Sequence, residues 1–120
     1  IVPVPSNKKN SRNLPARVSR ALGMRTALRH RPELLRKTRS LKSIKWTPRE
    51  ERDSVLSNAY VATRPLMSER GILVIDDVCD TGSTLRAVNE AFRRVDLAGS
   101  LQFLVLTHLS NPGMDWRPVR

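Results

Sequence analysis

The stretch from Gly71 to Leu85, GILVIDDVCDTGSTL, constrains the fold of this 120-residue chain more than any other. Its apolar run from Ile72 to Ile75 is continuous and ends in charge, which is typical of a central strand covered on both faces. Two adjacent carboxylates, Asp76 and Asp77, then stand at the carboxyl end of that strand. In open parallel sheets ligands bind beyond this end of the strands, so the acids are placed at the functional edge.

A turn of small residues follows the strand at once. Gly82 is free to adopt a positive φ, and the hydroxyls and amides around it stand where Leu85 opens a helical period. Backbone N–H groups at the start of a helix form an anion site. The candidate anion-binding residues are Asp80, Thr81, Gly82, Ser83 and Thr84.

The first part of the chain predicts a strand, a loop and a helix. IVPVP, at residues 1–5, is typical of a short strand. Leu14, Val18 and Leu22 recur every four residues and mark one face of a helix, with Asn13 as its cap. The next segment, RPELLRKT, is compatible with either a short strand or a helical turn.

The remaining segments continue the alternation of strands and helices. Thr47-Pro48-Arg49-Glu50 resembles a helix start, and NAYVAT is a plausible strand. After the turn comes an amphipathic helix, and LQFLVLTHL then predicts another buried strand. Such an order implies βαβ units and a parallel sheet. The inward face of the amphipathic helix is predicted to hold Leu85, Val88, Ala91, Phe92 and Val95.

Length and composition bound the organisation of the chain. With 39% apolar residues, 120 residues can build one modest core, so we expect a single domain over residues 1–120 with a tail at about 111–120. Because the sequence opens at Ile1 on a strand, we expect flanking N-terminal parts to be missing. The absence of a long apolar stretch or a signal-peptide pattern predicts a cytoplasmic protein without membrane contact. The lone Cys79 excludes an internal disulfide, and no Cys/His cluster has zinc spacing.

The net charge of +11 is unevenly distributed. Residues 1–52 hold 15 Lys and Arg against 3 acids, whereas residues 53–120 hold 7 against 8. Such a bias suits polyanions, either nucleic acid or a small ligand rich in phosphate.

Three kinds of site combine a strand that ends in acidic residues with an anion-binding turn. A nucleotide hydrolase would need GxxxxGK[ST], and a dinucleotide fold would need GxGxxG; both motifs are absent. The third kind holds a sugar phosphate, with the acids on its diol and the turn on its phosphate. A solvated strand-to-helix turn explains two adjacent acids after a buried strand less well.

The segment ILVIDDVCDTGST resembles the phosphoribosyl pyrophosphate (PRPP) binding signature of type I phosphoribosyltransferases. IVPVPSNKK is similar to the opening strand and pyrophosphate loop of the ComF-like (competence protein F) branch, and TPREER followed by NAY is similar to a helix and strand of that branch. The resemblance covers most of residues 1–110. It implies an α/β fold with an open parallel sheet and helices on both faces.

The resemblance also assigns roles to the residues of the signature. Asp76 and Asp77 would bind the ribose hydroxyls, directly or through Mg²⁺, and would be the metal ligands. Asp80 matches the position that accepts a proton from the base in 6-oxopurine members, so it slightly favours purine chemistry. With Asp76 and Asp77 it forms the candidate catalytic set. The 5′-phosphate would be held by Thr81, Gly82, Ser83 and Thr84.

Two further loops are assigned by the same resemblance. Ser6, Asn7 and Lys8 would lie in the pyrophosphate loop, and Lys45 and Arg49 in or near the flexible loop that covers the site. The sequence departs from the branch before the first helix, where Arg-Gly-Phe-Asn is replaced by NSRN. A further departure is Val55, where the branch has Asn, and both changes bear on catalytic competence more than on fold.

The function implied is transfer of ribose 5-phosphate from PRPP to a nucleobase, with release of pyrophosphate and Mg²⁺ as cofactor. This would be a glycosyltransferase reaction, and the acceptor base is not recognisable in the sequence. The alternative is a non-catalytic PRPP- or nucleotide-binding accessory in DNA uptake, with residues 1–52 contacting DNA. The resemblance also allows a homodimer or a competence-protein partner.

Overall fold

The protein is described by a computed structural model over residues 1–6, 12–38, 47–65, 70–97 and 99–108. Strands and helices alternate along most of this part of the chain, with the strands Tyr60–Ala62 and Gly71–Cys79 as the exception, and a short 3-10 turn, Pro32–Leu34, precedes the second strand. The order predicted for an α/β protein is confirmed. The elements are β1 (Val2–Pro3), α1 (Leu14–Arg25), β2 (Leu35–Lys37), α2 (Arg49–Leu56), β3 (Tyr60–Ala62), β4 (Gly71–Cys79), α3 (Ser83–Arg93) and β5 (Ser100–His108).

Three of the strands form a parallel sheet in the order β1-β4-β5. Val2 pairs with Val74 on one side of the sheet, and Gly71 pairs with Ser100 on the other. The ladder from β1 continues past its last residue, since the Val4 N–H donates to the Ile75 carbonyl at 2.8 Å. β4 is therefore the central strand, as its continuous apolar run predicts.

Both faces of β4 are covered at its middle. Val74 and Ile75 are fully buried, and successive side chains of a strand point to opposite faces. Val74 packs in the main core with Val88 and Phe92 of α3. The next residue, Ile75, is not part of this core. α1 is the helix that contacts both β1 and β4.

β2 and β3, which are separated in the chain by α2, form a separate antiparallel pair that was not predicted. Lys37 lies opposite Tyr60 in this strand pair. Leu35, Tyr60 and Ala62 are buried in the main core, so the pair packs beside the parallel sheet and contacts α3 through β3. The segment RPELLRKT thus forms both a helical turn and a strand.

The buried faces predicted for β5 and α1 differ from those in the structure. β5 pairs only with β4 among the described strands, and alternate residues on it stay exposed, with Leu104 at 41% and Leu106 at 37%. The prediction that LQFLVLTHL is a buried strand is therefore wrong: one face of β5 is exposed, and the other, with Leu101 and Phe103, is only partly buried. In α1, Leu14 is 44% exposed whereas Pro15 and Ser19 are buried, so the buried stripe is rotated by about one residue.

The α3 face agrees with its prediction. Leu85, Val88, Ala91 and Phe92 are buried, and Val95 packs against the core from just beyond the helix. None of the helices in the described ranges is long and apolar enough to cross a membrane.

Candidate functional site

The carboxyl end of β4 brings its two acids together. Asp76 is only 6% exposed, and Asp77 is half-buried. The Asp77 backbone N–H donates to Asp76 Oδ1 at 2.9 Å, which fixes the Asp76 carboxylate at the strand end. The two acids predicted as site residues are therefore neighbours in space and share one hydrogen bond.

Burial changes the acidity of Asp76. It raises the pKa of this carboxyl to about 6, and the negative charge of Asp77 acts in the same direction. The Asp77 N–H and the Lys37 ammonium favour the ionised form and oppose the shift. Asp76 is therefore ionised at pH 7.5 but titrates close to neutrality.

The β2–β3 strand pair places two further residues beside Asp76. Lys37 Nζ lies 5.9 Å from the centre of the Tyr60 ring, a distance compatible with a cation–π contact. Burial lowers the pKa of Lys37, and the charge of Asp76 partly offsets this. Burial, followed by the charge of Asp76, raises the pKa of Tyr60 to about 12, so its hydroxyl is neutral at physiological pH.

The turn after β4 has the backbone expected of an anion loop. Gly82 has a φ of +77°, in the left-handed region that favours glycine, and α3 begins at the next residue. Thr81 Oγ1 and Ser83 Oγ lie 2.8 Å apart and share a hydrogen bond. The turn is thus closed by its own hydroxyls at the N-terminus of an 11-residue helix.

Arg86 braces this turn. One of its guanidinium nitrogens donates to the Thr81 carbonyl at 3.1 Å, and the other donates to Ser83 Oγ at 3.2 Å. A positive charge is thereby held against the phosphate-turn candidate. The sequence analysis missed Arg86, although its position four residues after Gly82 places it one helical turn beyond the glycine.

A cavity of about 100 Å³ lies between the strand end and the turn. Asp76 and the turn residues line its polar side, and Leu56 at the end of α2 and Leu85 line its apolar side. This space exceeds what one water needs and matches a small group such as a phosphate. Burial raises the pKa of the Cys79 thiol, which also lines the cavity, so Cys79 is a poor nucleophile at neutral pH.

Other predicted residues reach the same edge of the sheet or lie outside the described residues. Ser6 follows β1 on the side where that strand ends. Arg49 is the first residue of α2. Asn7, Lys8 and Lys45 lie outside the described residues. The sequence analysis gave no signal for Lys37 or Tyr60, because the pairing of two three-residue strands is not visible in it.

The carboxylates can be tested as ligands for Mg²⁺. Within the described ranges, no group of three or more His, Cys, Asp or Glu side chains could hold a metal ion. Mg²⁺ is usually bound by one or two carboxylates together with substrate phosphates and water. Asp76 and Asp77 therefore fit a Mg²⁺ ion whose other ligands are phosphate oxygens and water.

Comparisons with protein-family models, with curated proteins and with solved structures gave no match for this chain. The family membership implied by the signature at residues 72–84 therefore stays a prediction.

Proposed function

We propose that the protein binds PRPP at the carboxyl edge of the parallel sheet and acts as a phosphoribosyltransferase-like protein of the type I, ComF-like kind. The observation that carries this proposal is that Asp76 and the turn at Gly82 line one cavity, with Asp77 adjacent to Asp76. A diol-binding acid pair and a phosphate-binding turn on one strand–helix unit suit a ribose 5-phosphate group.

The cost of burying Asp76 supports a binding role. A shift of its pKa from 3.8 to about 6 means that ionising this carboxyl opposes folding by about 3 kcal/mol. A packing role would favour a neutral side chain at this position. A charge that weakens the fold at the edge of a cavity is more typical of a functional site.

Each group of the site then has a task. Asp76 and Asp77 accept hydrogen bonds from the ribose hydroxyls, and they are the residues that would hold Mg²⁺. Bound there, Mg²⁺ would neutralise charge on the departing pyrophosphate. The turn at Gly82, braced by Arg86, grips the 5′-phosphate through backbone N–H groups and the hydroxyls of Ser83 and Thr84.

Transfer of the ribose 5-phosphate group would replace one bond at the anomeric carbon, C1, with another. The bond from C1 to the pyrophosphate oxygen breaks with its electron pair leaving on pyrophosphate, and a lone pair of the base nitrogen forms the new C1–N bond. The proton of the base passes to Asp80 and then to solvent. Lys37 brings positive charge beside Asp76 and partly offsets the rise in the pKa of that carboxyl.

The pH dependence of PRPP binding tests the role of Asp76. With a pKa of about 6, Asp76 is about one quarter ionised at pH 5.5, so we expect its contribution to reduce affinity about fourfold between pH 7.5 and 5.5. Lys37→Met should move this midpoint to higher pH, because it removes the charge that favours ionised Asp76. The exposed neighbour Arg36 supplies the matched control, Arg36→Met.

Calorimetric titrations across this pH range give the measurement. The phosphates of PRPP titrate equally for every variant, so differences between variants report the protein. Identical profiles for the wild type, Lys37→Met and Asp76→Asn would contradict the assignment of Asp76. A screen of nucleobases for pyrophosphate release separates an enzyme from a non-catalytic PRPP-binding protein.

Nucleic-acid binding by the basic first part is the second candidate function. α1 carries Arg17, Arg20 and Arg25, all exposed, and its sequence contains no acid. Contacts of such residues with phosphates make DNA affinity fall as salt rises, with a log–log slope of about −0.9 per phosphate contacted. We expect replacement of these three residues with Ala to weaken duplex binding and flatten the slope. An unchanged isotherm would count against this function.

A further inference from the structure

A second cavity, here called the amino-edge cavity, lies at the end of the sheet opposite the candidate site. It has a volume of about 290 Å³ and is lined by the first residues of β4 and by the segment that leads into β2. β4 spans nine residues, so about 26 Å separates its two ends. The residues of this cavity used below are Ile1, Arg29, Arg31, Leu34, Arg70 and Ile72.

Among the residues that the structure describes, three guanidinium groups and no acid line the amino-edge cavity. Arg31 is ion-paired with Glu33, a residue outside the lining. Arg29 and Arg70 are exposed, and neither has an ion-pair partner within the described ranges. The described lining therefore carries a net positive charge.

The backbone around these arginines is fixed by close contacts. The Arg31 N–H donates to the Ile1 carbonyl at 2.9 Å, and the Ile1 nitrogen donates to the Arg29 carbonyl at 2.6 Å. On the other side, a Cβ added at Gly99 would stand 2.1 Å from the Arg70 carbonyl oxygen, so Gly99 allows a close approach of the two chain segments. The arginines thus extend from a backbone that is held in place.

The floor of the cavity is apolar. Ile1, Leu34 and Ile72 are buried and form its inner wall. Guanidinium groups bind phosphate oxygens through paired N–H donors, and an apolar floor accepts a planar or aliphatic body. A volume just below the usual range for ligand pockets restricts that body to a small size.

We propose that the amino-edge cavity binds a small phosphate monoester, with the phosphate between Arg29 and Arg70 and the apolar body against Ile72 and Leu34. This site is separate from the proposed PRPP site and does not depend on it. A ligand bound here contacts the amino ends of β1 and β4, the strands whose carboxyl ends form the candidate site.

Phenyl phosphate is the probe for this site, because it has a phosphate and an apolar ring but no ribose diol. We expect saturable binding that shifts the backbone amide signals of Gly71 and Ile72 in NMR titrations. Arg29→Gln/Arg70→Gln should weaken binding at least tenfold. The matched control is Arg36→Gln/Arg93→Gln, which removes the same charge from exposed positions outside the cavity and should change affinity less than twofold.

Several outcomes would overturn the proposal. Equal weakening by both double variants would show attraction by the overall positive charge only. Signal changes confined to Thr81–Thr84, and lost in Gly82→Val, would assign the probe to the phosphate turn. Binding of a duplex oligonucleotide that depends on Arg29 and Arg70, without binding of phenyl phosphate, would assign these arginines to a polymer.

The test is independent of the proposed PRPP site. If the protein does not bind PRPP, the result expected for phenyl phosphate is unchanged.

Discussion

Asp76→Asn is expected to stabilise the folded protein and to remove PRPP binding at the same time. Asn is close to Asp in shape, and its side-chain oxygen can still accept the hydrogen bond from the Asp77 N–H. The variant removes only the charge whose burial opposes folding. We expect the free energy of unfolding at pH 7.5 to rise by about 1 to 3 kcal/mol, with a higher Tm.

The gain in the free energy of unfolding from Asp76→Asn depends on pH. The pKa of Asp76 is raised in the folded state, so between pH 3.8 and about 6 the folded protein binds more protons than the unfolded chain. Wild-type stability therefore falls as pH rises through this window, relative to that of the variant. The gain from Asp76→Asn should be absent near pH 3, grow up to about pH 6 and stay constant above it.

Urea unfolding of both proteins at several pH values measures this difference. Glu90→Gln is a suitable control, since Glu90 is exposed and its ion pair with Arg94 at 3.6 Å is exposed as well. A folded Asp76→Asn variant that is less stable than the wild type at pH 7.5 would contradict the account, because the carboxylate would then support the fold.

Gly82→Val is the change with the second largest expected effect. At a φ of +77° a β-branched residue is strained, and its Cβ would also stand 3.3 Å from a guanidinium nitrogen of Arg86. The turn would have to change its backbone conformation, which misdirects the N–H groups at the start of α3. We expect PRPP affinity to fall at least 100-fold.

Asn tolerates the left-handed region better than other non-glycine residues, so Gly82→Asn is the control for backbone conformation. It should retain more PRPP binding than Gly82→Val. Calorimetry measures both affinities, and circular dichroism checks that both variants fold. Wild-type affinity in folded Gly82→Val would show that the phosphate is held elsewhere.

The sequence predicted the central strand and its turn well because every local signal there agrees. A continuous apolar run, two acids and a glycine before a helical period each have few structural explanations, and together they identify β4, the turn and α3. The burial of Leu85, Val88 and Phe92 follows from the strong 3.6-residue period of α3.

Other features depend on contacts between distant segments. Lys37 and Tyr60 reach Asp76 through an antiparallel pair of two three-residue strands, which are too short to show a period. Leu104 is exposed where β5 forms the edge of the sheet among the described strands, and an apolar run does not reveal how many neighbours a strand has. The buried stripe of α1 is set by its contacts with β1 and β4 and includes Ser19, a polar residue.

Calorimetric titration of PRPP at pH 7.5, with and without Mg²⁺, tests the central claim most directly. We predict saturable binding of one PRPP per chain that is stronger with Mg²⁺ and is lost in folded Asp76→Asn/Asp77→Asn. Absence of binding by the wild type, or undiminished affinity in the double variant, would contradict the assignment of this site.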